Sequence, residues 1–273
     1  MLDFSLREKT YDSMPVIGSA IVNAKKYVNS DNKSLRAYNE WYKYKGKPHY
    51  FKCYYVFEEL FSRELARVFE LKCVDFFLGY NESVDNIGIF SKNFRSFDKN
   101  YYFYNSFFEA IDEEKPFDIV ELYSFLKSDE RFKKLLKIYS LIAFDYFSGQ
   151  TDRVNCNVVI EEENGNFSLS PLTDNGSLLF HEDYIYQSVF GDLCLNKKID
   201  SFDYEFTLYA LKRIALLYNN FVKCLDVDIK SLIKLTCDKY GLLLSDYNTK
   251  RIINSFDVRK KEIEKGLVLC KKK

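Results

Sequence analysis

Residues 144–180 read FDYFSGQTDRVNCNVVIEEENGNFSLSPLTDNGSLLF, and this stretch decides the fold of the chain. It contains Asp152 with Asn157 five positions later, and then Asp174 at the start of an Asp-Asn-Gly sequence. Phosphoryl transfer requires one carboxylate that orients the acceptor hydroxyl. It also requires a second carboxylate and an amide oxygen that hold magnesium. The spacing of these three residues is typical of that chemistry.

A predicted β-hairpin explains how these residues meet. Residues 158–160 are β-branched, Asn164-Gly165 is a strong turn signal, and residues 167–170 alternate between apolar and polar side chains. The two strands would return the chain to its starting point, with Asp152 and Asp174 at the open end. An Asp-Asn-Gly sequence alone is a common turn. Together with D-x-x-x-x-N at hairpin distance, it indicates a metal site.

This segment resembles a known family. FDYFSGQTDRVNCN followed by LSPLTDNGSLLF is similar to the kinase core of HipA-like serine/threonine kinases, which carry D-R-H-x-x-N or a related loop and then a P-x-x-D-x-G-type segment. The resemblance implies that Asp152 is the catalytic aspartate and that Asn157 and Asp174 are ligands of Mg²⁺, with ATP as the phosphate donor. Gly176 would supply backbone freedom, as in the Asp-Phe-Gly motif of protein kinases. Val154 stands where many relatives have histidine.

The resemblance also implies an α+β, bilobal, protein-kinase-like fold. The N-lobe, residues 1–93, would be a small antiparallel sheet with one helix. The C-lobe, residues 94–273, would be mainly α-helical and contain the catalytic loop 149–157 and the metal-binding segment 174–176. A further prediction is four helices in the C-lobe, over residues 130–147, 203–225, 227–240 and 245–265.

The N-lobe offers a lysine and a glutamate at kinase-like positions. A predicted hairpin ends in the alternating residues 49–55, which place Lys52 on a strand among aromatic side chains. Residues 57–71 then show a helical apolar stripe at positions 57, 61, 65 and 68, and Glu59 falls on another face of that helix. The resemblance assigns Lys52 and Glu59 to the ion pair that positions ATP phosphates, with Glu58 and Glu64 as fallback partners. The alternatives are a snorkelling edge lysine and surface salt bridges.

Nucleotide contacts are less well specified by the sequence. Two more strands, residues 74–78 and 87–91, would complete a five-stranded lobe, and the hinge would follow at residues 92–94. Chain order therefore predicts Ser91 and Asn93 as cofactor-binding residues, with backbone groups holding the adenine. The chain has no G-x-G-x-x-G sequence, so residues 30–33 are either the phosphate loop or an ordinary turn.

Composition excludes several classes of protein. The 40 basic residues balance 40 acidic ones, so the net charge does not indicate a nucleic-acid or anionic-membrane partner, and a local charged patch is the open alternative. Seven scattered cysteines without a C-x-x-C pair indicate reduced thiols, and two histidines give little support to a Ser-His-Asp triad. The chain lacks an apolar run of roughly 20 residues and a signal-peptide core. We therefore expect a cytoplasmic protein, or an effector secreted without a classical signal peptide.

The predicted function is an ATP-dependent protein kinase that phosphorylates serine or threonine hydroxyls, its own included. The family's habits imply a protein substrate and an antitoxin-type partner. Arg153 would either neutralise charge near the phosphates or form an exposed local ion pair with an aspartate. The missing glycine loop and Val154 favour the alternative of a pseudokinase or nucleotide-binding interaction module. A kinase of a small-molecule or lipid hydroxyl is the other alternative.

Overall fold

The structure is a computed structural model. It describes residues 4–6, 16–17, 40–82, 85–96, 98–116, 119–150, 152–176, 178, 187–188 and 204–270. The strands in the first part of the chain are β1 (Phe4–Leu6), β2 (Val16–Ile17), β3 (Glu40–Tyr44), β4 (Lys47–Lys52), β5 (Phe76–Asn81) and β6 (Asn86–Lys92). A helix, α1 (Val56–Val68), lies between β4 and β5.

Five of these strands form one sheet in the order β2-β5-β6-β4-β3, which confirms the predicted five-stranded lobe. All neighbours are antiparallel except β2, which runs parallel to β5. Lys45 and Gly46 both have positive φ angles, 47° and 76°, as a two-residue hairpin loop of the favoured kind requires. Lys52 is the last residue of β4 and pairs with Ile89 of β6, so the strand register fixes the position of the lysine backbone.

Helix α1 is buried on nearly all sides. Its apolar stripe joins the main core, and Glu58, Glu59 and Glu64 are buried as well. The sequence pattern predicts one buried face, but α1 is packed between the sheet and later helices, including one at residues 229–240. A buried carboxylate needs a charged or hydrogen-bonding partner, so we expect the buried glutamates of α1 to have such partners.

The predicted hairpin is present as β9 (Val159–Glu163) and β10 (Asn166–Leu169), with positive φ angles of 52° and 75° in its Asn164-Gly165 turn. A third strand, β7 (Asn100–Phe103), pairs with β9 and is absent from the sequence predictions. Strands β6 and β7 belong to different sheets. The predicted lobe boundary falls between them and stays a prediction.

The expected single helix over residues 130–147 is wrong. After α2 (Tyr104–Ala110) and α3 (Ile119–Ser128), a 3₁₀ helix spans Glu130–Lys137 and only then does α4 (Ile138–Ser148) begin. Phe132, Leu135 and Ile138 are buried at a spacing of three, which matches the three-residue turn of a 3₁₀ helix. The Asp129 side chain accepts a hydrogen bond from the Arg131 N–H at 2.8 Å and caps the segment.

The remaining elements are β8 (Asp152–Arg153), β11 (Gln187–Ser188), α5 (Tyr204–Leu217), α6 (Phe221–Cys224), α7 (Ile229–Tyr240), β12 (Leu242–Leu244) and α8 (Asp246–Cys270). The helix expected over residues 203–225 is thus two helices. Strand β1 pairs with β12, although the predicted division puts residues 1–93 in the N-lobe. No described helix is long and apolar enough to cross a membrane. The cysteines for which the structure gives a state are free: Cys53, Cys73, Cys156, Cys224 and Cys237.

Candidate functional site

Three charged side chains meet where the sheet, helix α1 and the segment after β10 come together. The Lys52 ammonium donates to a carboxylate oxygen of Glu59 and to Oδ1 of Asp174, the latter at 2.5 Å. The side chains of Lys52 and Glu59 are 10% and 8% exposed, whereas that of Asp174 is 47% exposed. The predicted Lys52–Glu59 pair is present, and Asp174 leaves one side of the cluster open to a ligand.

A residue with a left-handed backbone, Tyr55, lies between the strand that holds Lys52 and the helix that holds Glu59. Tyr55 has a φ of 54° and precedes α1 directly, so the chain reverses from strand to helix within a few residues. The Lys52 Nζ also lies 5.0 Å from the centroid of the Tyr54 ring, a cation–π contact. Glu64, a fallback partner in the sequence analysis, instead pairs with Arg67 and Lys239.

The Asp-Asn-Gly segment is fastened to α1. The Asn175 N–H donates to Oε2 of Glu59 at 3.0 Å. A Cβ on Gly176 would lie 3.0 Å from the Tyr55 Cβ and 3.1 Å from Oε1 of Glu59, so a larger residue would have to displace one of these groups by a few tenths of an ångström. The positive φ of 53° falls on Asp174. Gly176, which was expected to supply backbone freedom, therefore provides space against α1.

Electrostatics set the charge states of this cluster. Burial opposes the charged form of Lys52, but Asp174 and Glu59 outweigh burial and raise the Lys52 pKa. Burial raises the pKa of Glu59, although Lys52 opposes that shift. Burial also disfavours ionised Asp174, but the attraction of Lys52 exceeds it and the Asp174 pKa lies below its ordinary value. At neutral pH the exposed member of the cluster is therefore an anion.

A hydrogen bond joins two residues of the predicted catalytic loop, Asp152 and Asn157. The Asn157 amide nitrogen donates to the carbonyl of Asp152 at 2.9 Å. The Oδ1 of Asn157 has only a weak contact, 3.7 Å from the Cys156 sulfur. Burial raises the pKa of Cys156, and the charges of Asp174 and Asp152 raise it further. Arg153, the residue after Asp152, donates to Oδ1 of Asn175, the residue after Asp174, at 2.8 Å, so the two aspartates lie on neighbouring segments.

Arg153 is fully buried, contrary to the exposed ion pair considered from the sequence. Its guanidinium binds both carboxylate oxygens of Asp145, at 3.0 and 2.9 Å. It also donates to Oδ1 of Asn175 at 2.8 Å and to the Asn157 carbonyl at 3.4 Å. Arg153 therefore joins helix α4, the catalytic loop and the Asp-Asn-Gly segment.

Two residues of this network were not identified from the sequence. Asp145 is the one charged side chain in the otherwise apolar run of α4, and that isolation is a readable signal of a buried partner. Gln150 is buried and its amide donates to the carbonyl of Asp174 at 3.1 Å. Nothing in the local pattern distinguishes Gln150 from an ordinary loop glutamine.

Ser91 and Asn93, the residues predicted to lie beside the adenine, are outside the Lys52 cluster. The Asn93 N–H donates to the carbonyl of Pro48 at 3.1 Å, and its side-chain oxygen accepts from the Arg95 N–H at 3.1 Å. Ser91 lies within β6 between Tyr50 and Phe76 of the neighbouring strands. Neither residue contacts Lys52, Glu59 or Asp174 in any described interaction. The candidate phosphate loop, residues 30–33, lies outside the described residues.

The available ligands suit a hard cation. Lys52, Glu59, Asp174 and Asp152 together have a net negative charge, which would repel a polyphosphate. Within the described ranges, no group of three or more His, Cys, Asp or Glu side chains is placed to hold a metal. The Asp174 carboxylate and the Asn157 amide supply oxygen only, as Mg²⁺ prefers when phosphates and water complete its shell. The residues therefore fit magnesium bound together with a nucleotide.

Comparison with solved structures identifies the fold. No protein-family model and no curated protein sequence matches the chain. The structure of CtkA, a proinflammatory kinase of Helicobacter pylori, aligns with a TM-score of 0.59 and 16% identity, over 94% of this chain and 99% of that one. A chain of the HipA–HipB toxin–antitoxin complex with operator DNA from Shewanella oneidensis MR-1 aligns with a TM-score of 0.57 and 12% identity, over 90% of this chain and 67% of that one. This chain has the α+β fold of the HipA-like kinases.

Proposed function

We propose that this chain is an ATP-dependent kinase that transfers the γ-phosphate to a serine or threonine hydroxyl of a protein, its own included. The observation that carries the proposal is the Lys52 ammonium held between Glu59 of α1 and the half-exposed Asp174. The Lys52 and Glu59 side chains are enclosed, whereas the Asp174 carboxylate stays accessible to a metal ion. The HipA-like fold supports the same reaction class.

Lys52, Glu59 and Asp174 divide the task of holding the nucleotide. Lys52 would contact the phosphates while Glu59 keeps the ammonium in place through the contact already present. Asp174 and Asn157 would hold Mg²⁺, which neutralises phosphate charge when bound. Since the cluster is net negative without the metal, we expect nucleotide binding to require a divalent cation.

Asp152 is the proposed catalytic residue. Its carboxylate would orient the acceptor hydroxyl and take its proton as the oxygen attacks phosphorus. Arg153 cannot reach the phosphates because Asp145 and Asn175 hold its guanidinium in the interior. We assign Arg153 a positioning role, in which it keeps the backbone of the catalytic loop and of the metal-binding segment in register.

The nucleotide base and the partners follow from chain order and fold. We place the adenine at the segment that follows β6, near Ser91 and Asn93. It would contact backbone N–H and C=O groups of this segment other than the Asn93 N–H, which already donates to the Pro48 carbonyl. One structural neighbour comes from a toxin–antitoxin complex, which supports an antitoxin-type protein partner. The site of action would be the cytoplasm, or a host cell reached without a classical signal peptide.

The test is transfer of labelled γ-phosphate to the protein itself and to a generic protein acceptor, with magnesium. Wild type is compared with Asp152→Ala, Asp174→Ala and, as a matched control, Asp257→Ala on the exposed surface of α8. We expect transfer in wild type and the control only. Nucleotide binding, measured as a thermal shift, should survive in Asp152→Ala and be lost in Asp174→Ala.

Two results would contradict this assignment. Wild type with neither transfer nor a nucleotide-dependent thermal shift would leave a kinase-shaped interaction module. Transfer only to small-molecule or lipid hydroxyls would retain the site chemistry but change the acceptor class.

A further inference from the structure

A second cleft lies beyond the opposite end of α1 from Glu59. It has a volume of about 510 Å³ and contains none of the residues of the Lys52 cluster. Its walls are the last two turns of α1, the segment 71–75, Lys92 at the end of β6, the two residues that follow Lys92, and Pro171. The cleft therefore shares Asn93 with the segment at which we place the adenine, but none of the residues at which we place the nucleotide phosphates. This size is within the range of protein cavities that hold small ligands or short peptide segments.

The charge of this cleft is strongly one-sided. Its described lining includes four cations, Arg63, Arg67, Lys72 and Lys92, but only one carboxylate, Asp75. Arg63 lies 3.5 Å from Asp75, whose side chain is 77% exposed, so solvent screens that pair. Among the described residues, neither Lys72 nor Lys92 has a carboxylate within ion-pair distance.

The two arginines are already positioned. The Arg63 guanidinium stacks 4.5 Å from the centroid of the Phe76 ring, and its side chain is only 15% exposed. Arg67 binds one oxygen of Glu64, while the other oxygen of Glu64 accepts from Lys239 at 2.7 Å. Because Glu64 is shared between two cations, it does not neutralise the cleft. Planar guanidinium groups held in this way match the oxygens of a phosphate.

We propose that this cleft binds a phosphate monoester, from a phosphorylated side chain of a peptide or from a small phosphorylated molecule. Two arginines would contact the phosphate oxygens, and Lys72 and Lys92 would supply longer-range attraction. A dianion would be attracted more strongly than a carboxylate, because the excess positive charge of the lining exceeds one unit.

The cleft is connected to the candidate active site by backbone hydrogen bonds. Leu172 donates its N–H to the Lys72 carbonyl at 2.8 Å and accepts from the Val74 N–H at 3.0 Å. Leu172 lies two residues before Asp174, and Arg63 lies one helical turn after Glu59. A bound phosphate would therefore steady both carboxylate partners of Lys52. This effect on activity rests on the proposed function, whereas binding in the cleft does not.

The experiment is fluorescence anisotropy with a fluorescein-labelled glycine–alanine peptide that contains one phosphoserine, alongside its unphosphorylated twin. The full chain is compared with the double variant Lys72→Glu/Lys92→Glu. The matched control is Lys230→Glu/Lys261→Glu, which makes the same charge change at exposed positions of α7 and α8. We expect the first variant to bind the phosphopeptide at least tenfold more weakly and the control to stay within twofold of wild type.

Competition and a nucleotide-site variant complete the test. Equal displacement by free phosphoserine and by unlabelled phosphopeptide would assign the site to small phosphorylated molecules, and preferential displacement by the peptide would assign it to proteins. Asp174→Asn should bind the probe as wild type does. Equal binding of the unphosphorylated twin would overturn the proposal. Loss of binding in Asp174→Asn but not in Lys72→Glu/Lys92→Glu would also overturn it, because the phosphate would then occupy the nucleotide site.

Discussion

The molecule contains two neighbouring ion-pair clusters, and they differ in exposure and in net charge. Arg153 and Asp145 are both 0% exposed, and the guanidinium binds both oxygens of the carboxylate. In the other cluster, Lys52 and Glu59 are similarly enclosed but Asp174 is 47% exposed. One cluster is closed and neutral, and the other is open and has one negative charge in excess.

We propose that the closed cluster has a positioning role and that the open cluster binds the metal and the nucleotide. A closed, neutral pair has no charge left for a ligand, and its stability depends on keeping both partners. An open, charged cluster can exchange one of its contacts for a metal or phosphate. The two clusters are joined through Asn175, whose N–H binds Glu59 and whose side chain accepts from Arg153. Damage to each should therefore produce a different measurable loss.

The largest effect is expected from Asp174→Asn. Asparagine keeps the shape and tolerates the left-handed φ of this residue, but removes the anion that would hold the metal. Phosphate transfer should fall roughly 1000-fold or more, while the melting temperature changes little. A variant that retains a tenth of wild-type transfer would contradict the assignment of Asp174 as a metal ligand.

The main effect of Arg153→Met should be a lower free energy of unfolding. It leaves the Asp145 carboxylate buried without its partner, which costs roughly 3–5 kcal/mol of unfolding free energy. The measurement is urea unfolding. Lys260→Met, which breaks the more exposed pair with Asp226, is the control and should cost about 0–1 kcal/mol. The double variant Arg153→Met/Asp145→Leu should recover much of the loss, and equal costs for the buried and surface variants would refute the contrast.

Gly176→Ala should weaken the link between the two clusters. The added Cβ would meet Tyr55 and Glu59 at 3.0–3.1 Å and push the metal-binding segment away from α1. We expect transfer to fall roughly tenfold, the loss that follows about 1.4 kcal/mol of misplaced contact. Gly165→Ala is the control, because it is strained at φ +75° but has open space around it. That control should lower stability without changing transfer.

The smallest effect is the pH dependence of stability. The folded-state pKa of Asp174 is lower than its unfolded value, so its contribution is present above the unfolded pKa near 3.8 and is lost as the pH falls through the lower folded value. Urea unfolding from pH 6 to pH 3 should show wild type losing more stability than Asp174→Asn below about pH 4. Parallel curves for the two proteins would contradict a lowered pKa.

Much of the site was predictable because its signals are local. The turn residues of the β9–β10 hairpin and the five-residue spacing of Asp152 and Asn157 specify geometry over short distances. The Lys52–Glu59 pair was also predicted, because the resemblance to HipA-like kinases assigns a strand lysine and a helix glutamate to this contact, with Glu58 and Glu64 as fallback partners.

The errors arose where a distant segment decides the outcome. The burial of Arg153 depends on Asp145 in another element, and β7 becomes a strand only because β9 is beside it. The 3₁₀ segment depends on buried contacts at a spacing of three, which an amphipathic pattern does not distinguish from an α-helix. Gly176 was expected to supply backbone freedom, but the left-handed residue of this segment is Asp174 and the glycine provides space against α1.

The pairing of β1 with β12 has a consequence for the order of events during synthesis. Phe4–Leu6 leaves the ribosome early, yet its partner Leu242–Leu244 follows almost the whole described chain. At roughly 5–20 residues per second, β1 waits on the order of ten seconds or more for that partner. The five-stranded sheet can assemble during this interval, but the β1–β12 pair cannot form before Leu242–Leu244 has been synthesised. We expect chaperones to encounter an unpaired β1 edge in nascent chains.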